Sequence, residues 1–325
     1  MGNSTGRDLH IDKMLTQIAI NFRPSNYIVD QIAPIVPVAK ETDLYPVFSR
    51  AEARSIQDTR RARGTKAKLI TRSVSSDGYK VENFALGQSI VLEDRVNIDP
   101  AYEAELYSGA TQHITGLLMN DWENRVIRAV SSTSNVATGF LPASSWAGAG
   151  ANAGDPISHI MQMIEEHQAR TGEAPNSILM GWKAWKTFRR NYHARNFLFG
   201  NNNGGGLVTR QRAQELFEVD RFLVADAFFN TANEAQAEVL TSPFADKVLV
   251  YYAPTSPSRE VPSFMYSFRW AAPGLPNMTV ERHPYDTETK SEKVEVGYYQ
   301  SEKIVGASYG SLLLGVNSAQ GSGLV

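Results

Sequence analysis

Residues 100–131 read PAYEAELYSGATQHITGLLMNDWENRVIRAVS, a stretch that predicts one long helix. The residue before it, Asp99, can accept hydrogen bonds from the first free N–H groups, and Pro100 suits the first helical position. Glu103 and Glu105 lie where the helix dipole favours negative charge. No further proline interrupts the stretch, so nothing in it predicts a break.

Apolar or small residues recur at every fourth position of this helix: Tyr102, Leu106, Ala110, Ile114, Leu118, Trp122, Val126 and Val130. A spacing of four residues overshoots the 3.6-residue turn, so the stripe rotates around the helix by about 40° per step. A helix of about 30 residues is also about 45 Å long, which is more than a small domain needs. These features predict a spine to which several elements attach on different sides. An ordinary long core helix is the alternative.

The composition excludes several classes of protein. The chain has 325 residues and a formal net charge of −2, so it is not a generally basic nucleic-acid-binding protein, although a local basic patch remains open. It has no cysteine, which excludes disulfides, thiolate metal sites and thiol nucleophiles. No segment has the length and apolarity of a membrane span, and the N-terminal residues lack the apolar core of a signal peptide. We expect a protein that folds in a reducing cytoplasm, with no membrane partner.

Residues 1–43 predict an extended N-terminal arm. Pro24, Pro34 and Pro37 forbid a long helix and favour an extended path. The apolar residues of this segment need a surface to lie on, and the candidate packing residues are Ile28, Ile32, Ile35 and Val36. We expect the arm to pack across other parts of the molecule or across a neighbouring copy.

A basic segment follows the arm. Residues 44–50 and 81–92 have the β-branched and aromatic side chains of strands. Residues 50–80 carry nine Lys or Arg against three acids, a net charge of +6, and are too polar to hold a core of their own. We therefore expect a long projecting loop or ribbon. It is either a solvated surface, a site that binds the phosphates of a nucleic acid, or a surface that contacts protein. Its candidate contact residues are Arg54, Arg60, Arg61, Arg63, Lys66 and Lys68.

The beginning of the spine carries the opposite charge. Residues 93–123 hold seven acids and one base, a net charge of −6. The candidate contact residues here are Glu93, Asp94, Asp99, Glu103 and Glu105. Complementary charges of this size predict that ribbon and spine meet, either within one subunit or between subunits, where such charges fix register and partner choice.

Strands and helices alternate in residues 152–282, which indicates a compact α/β or α+β domain. Asp155 and Pro156 open a helix that Gly172 ends. Strand candidates of this domain include residues 222–233, 246–254 and 262–270. Residues 289–315 alternate apolar and polar side chains and predict long paired strands. The fold class predicted for the whole chain is α+β.

Two short motifs match catalytic or phosphate sites only in part. Residues 306–310, GASYG, fit the G-x-S-x-G pattern of a serine hydrolase, yet no Asp, Glu or His follows Ser308, as that motif requires. Residues 200–206, GNNNGGG, lack the Lys-Ser/Thr ending of a phosphate-binding P-loop. A surface turn is the better interpretation of the second motif.

A group of His and Glu residues fails as a metal site. His159 and His167 share a predicted helix with Glu165 and Glu166, but the two histidines are two turns, about 12 Å, apart. They cannot bind one ion together. We therefore predict no catalytic residues, no cofactor and no metal.

The order of these parts resembles that of the HK97-type major capsid proteins of tailed bacteriophages. In both, an apolar arm, a basic ribbon, a long acidic spine helix, a compact domain and a return of long strands follow one another. Residues 28–40, IVDQIAPIVPVAK, resemble the arm of such shell proteins, and residues 176–185, NSILMGWKAW, are also similar to the family. The resemblance also leads us to expect that residues 222–233 pair with residues 246–254 and 262–270. Each motif is loose, and the resemblance covers nearly the whole chain.

The resemblance implies an HK97-like fold of four parts. These are an N-terminal arm (residues 1–43), an E-loop (44–90), a peripheral domain (91–151 and 283–325) with the spine helix (100–131), and an axial domain (152–282). It also implies a structural protein, not an enzyme, that self-assembles into the hexamers and pentamers of an icosahedral phage head enclosing double-stranded DNA.

The same resemblance implies the partners and the location of the protein. The partners are further copies of the chain, a portal, packaged DNA through non-specific inner-surface contacts, and a cement or decoration protein where one is present. Members with a built-in scaffolding domain carry a long charged extension before the arm, and because this chain starts almost at the arm, we expect a separate scaffolding protein unless such an extension has been cleaved off. The location is the virion capsid, assembled in the host cytoplasm. A nucleic-acid-binding protein that uses residues 50–80, or a small hydrolase that uses Ser308, are the alternatives.

Overall fold

The computed structural model of the chain describes residues 12–22, 27–48, 56, 59–61, 63–67, 69, 74–99, 102–142, 144–148, 150–200, 206–232, 236–259, 261–271, 278–318 and 323–324. The α-helices in these ranges are α1 (Lys13–Asn21), α2 (Val29–Ile32), α3 (Leu92–Asn97), α4 (Glu103–Val130), α5 (Pro156–Thr171), α6 (Trp182–Arg190), α7 (Tyr192–Phe199) and α8 (Arg210–Leu216).

The first strands are β1 (Ile35–Val38), β2 (Thr42–Phe48), β3 (Val74–Lys80), β4 (Glu82–Val91), β5 (Thr138–Leu141), β6 (Ser177–Gly181) and β7 (Arg221–Ala225). The later strands are β8 (Phe229–Asn230), β9 (Leu240–Thr241), β10 (Val248–Tyr251), β11 (Met265–Trp270), β12 (Thr279–Asp286), β13 (Ser291–Ile304), β14 (Gly310–Leu313) and β15 (Gly323–Leu324).

The spine helix α4 has 28 residues and is about 42 Å long. It begins at Glu103 with Tyr102, and not the expected Asp99, at the N-cap position, and the Tyr102 side chain makes no cap hydrogen bond. The reason is a tight turn before the helix, in which the Tyr102 N–H donates to the Asp99 C=O at 2.8 Å. Pro100 lies outside the described residues.

Different elements pack against the two halves of the spine. The first half packs with α1, β4, β12 and β13. The second half packs with α2 and with strands β6, β7, β10, β11 and β14. The expected stripe is buried from Ala110 onwards, but Tyr102 is 56% exposed and Tyr107 is buried in place of Leu106. The interpretation of α4 as a spine with changing neighbours is therefore confirmed.

A six-stranded sheet has the strand order β15-β5-β14-β10-β6-β7. Helices α5 to α8 cover one face of it, and the spine and α2 cover the other. Helix α5 has the predicted ends, because the Asp155 side chain accepts from the Ile157 N–H and Gly172 ends the helix at a φ of 69°.

In a five-stranded sheet, the long strand β13 is central. It pairs with β4 along one edge and with β12 and then β11 along the other, and β1 pairs with β11. The expected pairing of residues 222–233 with 246–254 and 262–270 is therefore wrong. The reason is that β11 finds its partners far away in the sequence, in the arm and near the C-terminus, while β7 and β10 pair with β6.

The base of the basic segment is a two-stranded antiparallel ribbon of β2 and β3, paired from Thr42↔Lys80 to Phe48↔Val74. Strand β3 did not appear in the sequence prediction, which took residues 81–92 as the return strand. Residues 82–91 belong instead to the five-stranded sheet, as β4. That sheet takes strands from all four expected parts, and the division of the chain into those parts stays a prediction.

Candidate assembly interface

Aromatic packing fixes the base of the ribbon to the five-stranded sheet. Tyr45 and Tyr79 are buried against Phe268, with ring centroids 5.4 Å and 4.7 Å away. The Tyr45 hydroxyl donates to Asp77 at 2.7 Å, and Lys303 Nζ lies 3.1 Å from the same carboxylate. The hydrogen bond from Tyr45, followed by that from Lys303, lowers the pKa of Asp77 despite partial burial. The ribbon thus leaves the sheet from a well-fixed base.

The outer part of the ribbon is basic and exposed. The exposed bases there are Arg60, Arg61, Arg63 and Lys66, while Arg54 and Lys68 lie outside the described residues. The Arg61 Nε donates to the Thr65 C=O at 2.6 Å, which closes a local turn. Among the described residues, Arg61, Arg63 and Lys66 form no ion pair. These charges are available to a partner.

The ribbon also presents two large apolar side chains to water. Ile56 is 100% exposed and Leu69 is 92% exposed. Each side chain loses about 1.5–3 kcal/mol of stabilisation by remaining in water instead of in a core. Single exposed apolar residues are ordinary on surfaces, and only a contiguous patch marks an interaction site.

The beginning of the spine presents an acidic surface. Helix α3 buries none of its residues, and the exposed acids are Glu93 and Asp94 on α3, Asp99 after it, and Glu105 on the spine. Glu103 is half-buried, with its Oε1 3.7 Å from Arg95 Nε. Within the described residues, Glu93, Asp94 and Glu105 have no ion-pair partner.

A cluster around Glu292 holds this acidic surface on the sheet. The Glu292 carboxylate accepts from the Tyr107 hydroxyl at 2.6 Å, from Arg282 at 2.6 Å, and from Arg95 of α3. Partial burial opposes ionisation, but these donors outweigh it and lower the pKa of Glu292. No signal in the sequence pointed to this cluster, because its members lie on four elements and Arg95 counted only as one base among acids.

Two of the seven acids in residues 93–123 do not belong to the acidic surface. Asp121 pairs with Arg125 one turn later on the spine. Glu123 is only 4% exposed, and its Oε1 has no hydrogen-bond partner within the described residues. Burial, followed by the charges of Asp226 and Asp30, raises the pKa of Glu123 to about 7, against a hydrogen bond from the Ile28 backbone that lowers it.

The arm residues pack on their own chain. Ile32 is fully buried with Val29 against the second half of the spine, and Ile28 and Ile35 pack at the margin of the same cluster. Val36 is buried with the aromatic residues at the base of the ribbon. Of the two surfaces expected for the arm, the structure shows the one within the molecule. The predicted contacts of these residues with a neighbour are not tested by it.

In the part of the chain that the structure describes, the serine motif and the histidines do not form chemical sites, and residues 201–205 of the glycine-rich motif lie outside that part. Ser308 lies in a short 3₁₀ turn, Ala307–Tyr309, that leads into strand β14, so the helix required after a nucleophile elbow is missing there. His159 accepts from the Trp146 indole at 3.0 Å, which is a structural contact. His167 is buried two turns away. In the described ranges, no three His, Asp or Glu side chains are grouped so that they could hold a metal ion.

None of the described helices has the length and apolarity needed to cross a membrane.

No model of a protein family matches the chain. The chain is 25% identical over 230 residues to the major capsid protein of Pseudomonas phage JBD67, an alignment that covers 70% of this chain and 72% of that protein. It is 22% identical over 314 residues to the major capsid protein of Burkholderia phage BcepMu, covering 94% and 97%.

The fold is similar to those of solved phage proteins. A phage-related protein from Bordetella bronchiseptica superposes with a TM-score of 0.74 at 20% identity, covering 96% of this chain and 99% of that one. The capsid protein of cyanophage P-SCSP1u superposes with a TM-score of 0.57 at 10% identity, covering 91% and 90%. The chain therefore has the HK97-type capsid fold, and the prediction of a structural phage capsid protein is confirmed.

Proposed function

We propose that copies of this chain form the shell of a tailed-phage head by laying the basic ribbon of one subunit over the acidic surface of the next. The observation that carries the proposal is the presence of two exposed surfaces of opposite charge on one chain. Arg63 and Lys66 lie on the first, Glu93 and Asp94 lie on the second, and none of the four has an ion pair within the described residues. The exposed Ile56 and Leu69 add an apolar component to the ribbon.

In this proposal the copies are arranged as hexamers and pentamers of an icosahedral shell around double-stranded DNA, and the role requires no catalysis. Assembly takes place in the host cytoplasm around a portal, with a separate scaffolding protein directing how capsomers that form by themselves close into a head. A cement protein binds outside where one is present, and the inner surface contacts DNA without sequence preference. The order of parts shared with HK97-type proteins supports these details.

Reversal of the ribbon charges tests the proposed contact. An exposed ion pair contributes only about 0.2–1 kcal/mol, so a single reversal should change little. The triple variant Arg60→Glu, Arg61→Glu, Arg63→Glu adds repulsion at every interface of a shell, so we expect a folded subunit that does not assemble. Sedimentation velocity at low ionic strength measures assembly, and thermal unfolding checks the subunit.

A matched control makes three charge reversals outside the ribbon. Lys13, Arg190 and Arg210 are exposed bases on α1, α6 and α8, and their joint reversal to Glu should leave assembly intact. Reversal of Glu93 and Asp94 to Lys should partly rescue the ribbon variant. Normal shells from the ribbon variant would refute the contact. Normal shells that retain less nucleic acid would support the alternative in which the ribbon binds phosphates.

A further inference from the structure

Strand β4 has a long free edge. One edge pairs with β13 along all ten residues, Glu82–Val91. No strand in the described part of the chain pairs with the other edge, and eight of the ten residues are exposed, Phe84 and Ile90 being the exceptions. Along a strand of this length, the N–H and C=O groups on the free edge form a row about 33 Å long with no neighbouring strand to bond to.

The alternation of hydrogen-bonded residues along β4 shows which backbone groups face the free edge. The Leu92 N–H donates to the Lys290 C=O at 2.9 Å, which continues the β4–β13 register, so the even-numbered residues of β4 bond to β13. The backbone groups that face the free edge belong to Asn83, Ala85, Gly87, Ser89 and Val91. Val280 on the opposite side of β13 agrees with this phase, because its N–H and C=O bond away from β13, to Thr16 and Asp12.

The edge lacks the features that usually protect edge strands. The edge of β12 is met by α1 through Asp12 and Thr16, and β1 contains Pro37, which has no N–H. Strand β4 has no proline and no bulge in its register, and its one charged residue is Glu82. The side chains at its edge-facing positions are small, which allows another backbone to approach closely.

We propose that the free edge of β4 is a strand-addition site for the basic part of the ribbon of a second copy, residues 59–61 and 65–67 on either side of the turn at Arg63 and Gly64. This inference rests on the proposed function and defines the backbone geometry of that contact. The described residues of this part belong to no strand in their own subunit. Strand β4 runs directly into α3, where Glu93 and Asp94 are exposed, so a basic strand added along it meets acidic side chains.

A second candidate for the edge is less favourable. Two β4 strands could pair with each other in antiparallel fashion around Gly87. In that register Glu82 of one copy lies near Glu93 of the other, which is unfavourable, and Lys80 lies opposite Asp94, which is favourable, so this pairing gains little net charge complementarity. Charge complementarity therefore selects the ribbon.

Hydrogen exchange resolved at single amides tests the site in the unaltered chain. In the unassembled subunit, we expect the N–H groups of Ala85, Gly87 and Ser89 to exchange fast and those of Leu86 and Gln88 to exchange slowly. In assembled particles, the three edge-facing amides should slow by at least about tenfold. Edge-facing amides that stay fast in assembled particles would overturn the proposal.

Proline substitution tests the same phase. Ala85→Pro removes a donor that faces the free edge, so it should leave the thermal midpoint of the subunit near that of the unaltered chain and lower the assembled fraction. The matched control, Gln88→Pro, removes a donor to β13 and should lower the midpoint itself. Full assembly of the Ala85→Pro protein would count against strand addition.

The sign of an added charge identifies the occupant. Asn83 and Ala85 lie opposite the uncharged Tyr299 and Gly297. We expect Asn83→Lys with Ala85→Lys to reduce assembly, and Asn83→Glu with Ala85→Glu to keep or increase it. Equal effects of both signs would exclude the basic ribbon as the occupant. If the ribbon reversal blocks assembly while all edge variants assemble normally, the proposed function stands and the strand-addition site alone is refuted.

Discussion

The pKa values of two glutamates shift in opposite directions. Glu123 is a buried residue of the spine, and Glu292 is a partly buried residue of β13 that bonds to the spine. Glu123 lies near Asp30 and Asp226, and its pKa is raised to about 7, first by burial and then by these acids. Glu292 is also partly buried, but Tyr107 and Arg282 donate to it and lower its pKa. The first glutamate therefore destabilises the fold when it ionises, and the second stabilises it.

The Glu123→Gln variant should remove one source of pH dependence. Because the folded pKa of about 7 is above the ordinary value of 4.5, the native state holds the proton longer than the unfolded state does. The stabilising contribution of protonated Glu123 is complete below pH 4.5 and is lost as pH rises through 7. We expect the variant to match the unaltered subunit near pH 4.5 and to be more stable by about 2–4 kcal/mol at pH 8.

Urea unfolding of the unassembled subunit at both pH values measures this difference. Glu105→Gln is the matched control, because it removes the same charge from an exposed position on the same helix and should change stability by less than about 0.5 kcal/mol. A stability difference for Glu123→Gln that is equal at both pH values would show that ionisation of Glu123 is not its cause.

At the scale of elements, the sequence predicted those whose signals are local. The spine follows from its periodic side chains and lack of proline, and α5 follows from Asp155, Pro156 and Gly172. Strand β3 was missed because its residues, VSSDGYK, are mostly polar and small, and only the pairing with β2 makes them a strand. The Glu292 cluster was missed because it joins residues more than 180 positions apart.

The arm shows the same limit. Its prolines and apolar residues predicted an extended segment that needs a surface, but they could not identify the surface. In the structure, β1 extends the five-stranded sheet in parallel with β11, and α2 packs on the spine. Part of the arm is thus core of its own subunit.

Truncation of Ile32 tests this assignment. Ile32 is fully buried, so Ile32→Ala should lower the free energy of unfolding of the isolated subunit by about 2–5 kcal/mol. Met14→Ala on α1 is the control, because Met14 is 72% exposed and its truncation should cost little. Unchanged stability of the Ile32→Ala subunit, combined with failed assembly, would mean that the arm packs only against neighbours.

At the scale of the whole molecule, the spine packs against both large sheets. The basic ribbon and the acidic surface around α3 are separate exposed surfaces of opposite charge. The sequence predicted these charges, but only the structure shows which acids are exposed, since Asp121 and Glu123 have other roles. Exposed charges are screened over about 8–10 Å near physiological ionic strength. Assembly through them should therefore weaken as salt is added.

Electron microscopy of the purified chain, expressed alone and stained at low ionic strength, tests the central claim most directly. We expect ring-shaped capsomers or closed shells built from many copies, and fewer of them when salt is added before assembly. A uniform population of monomers or small oligomers at every salt concentration and protein concentration would contradict a self-assembling shell subunit.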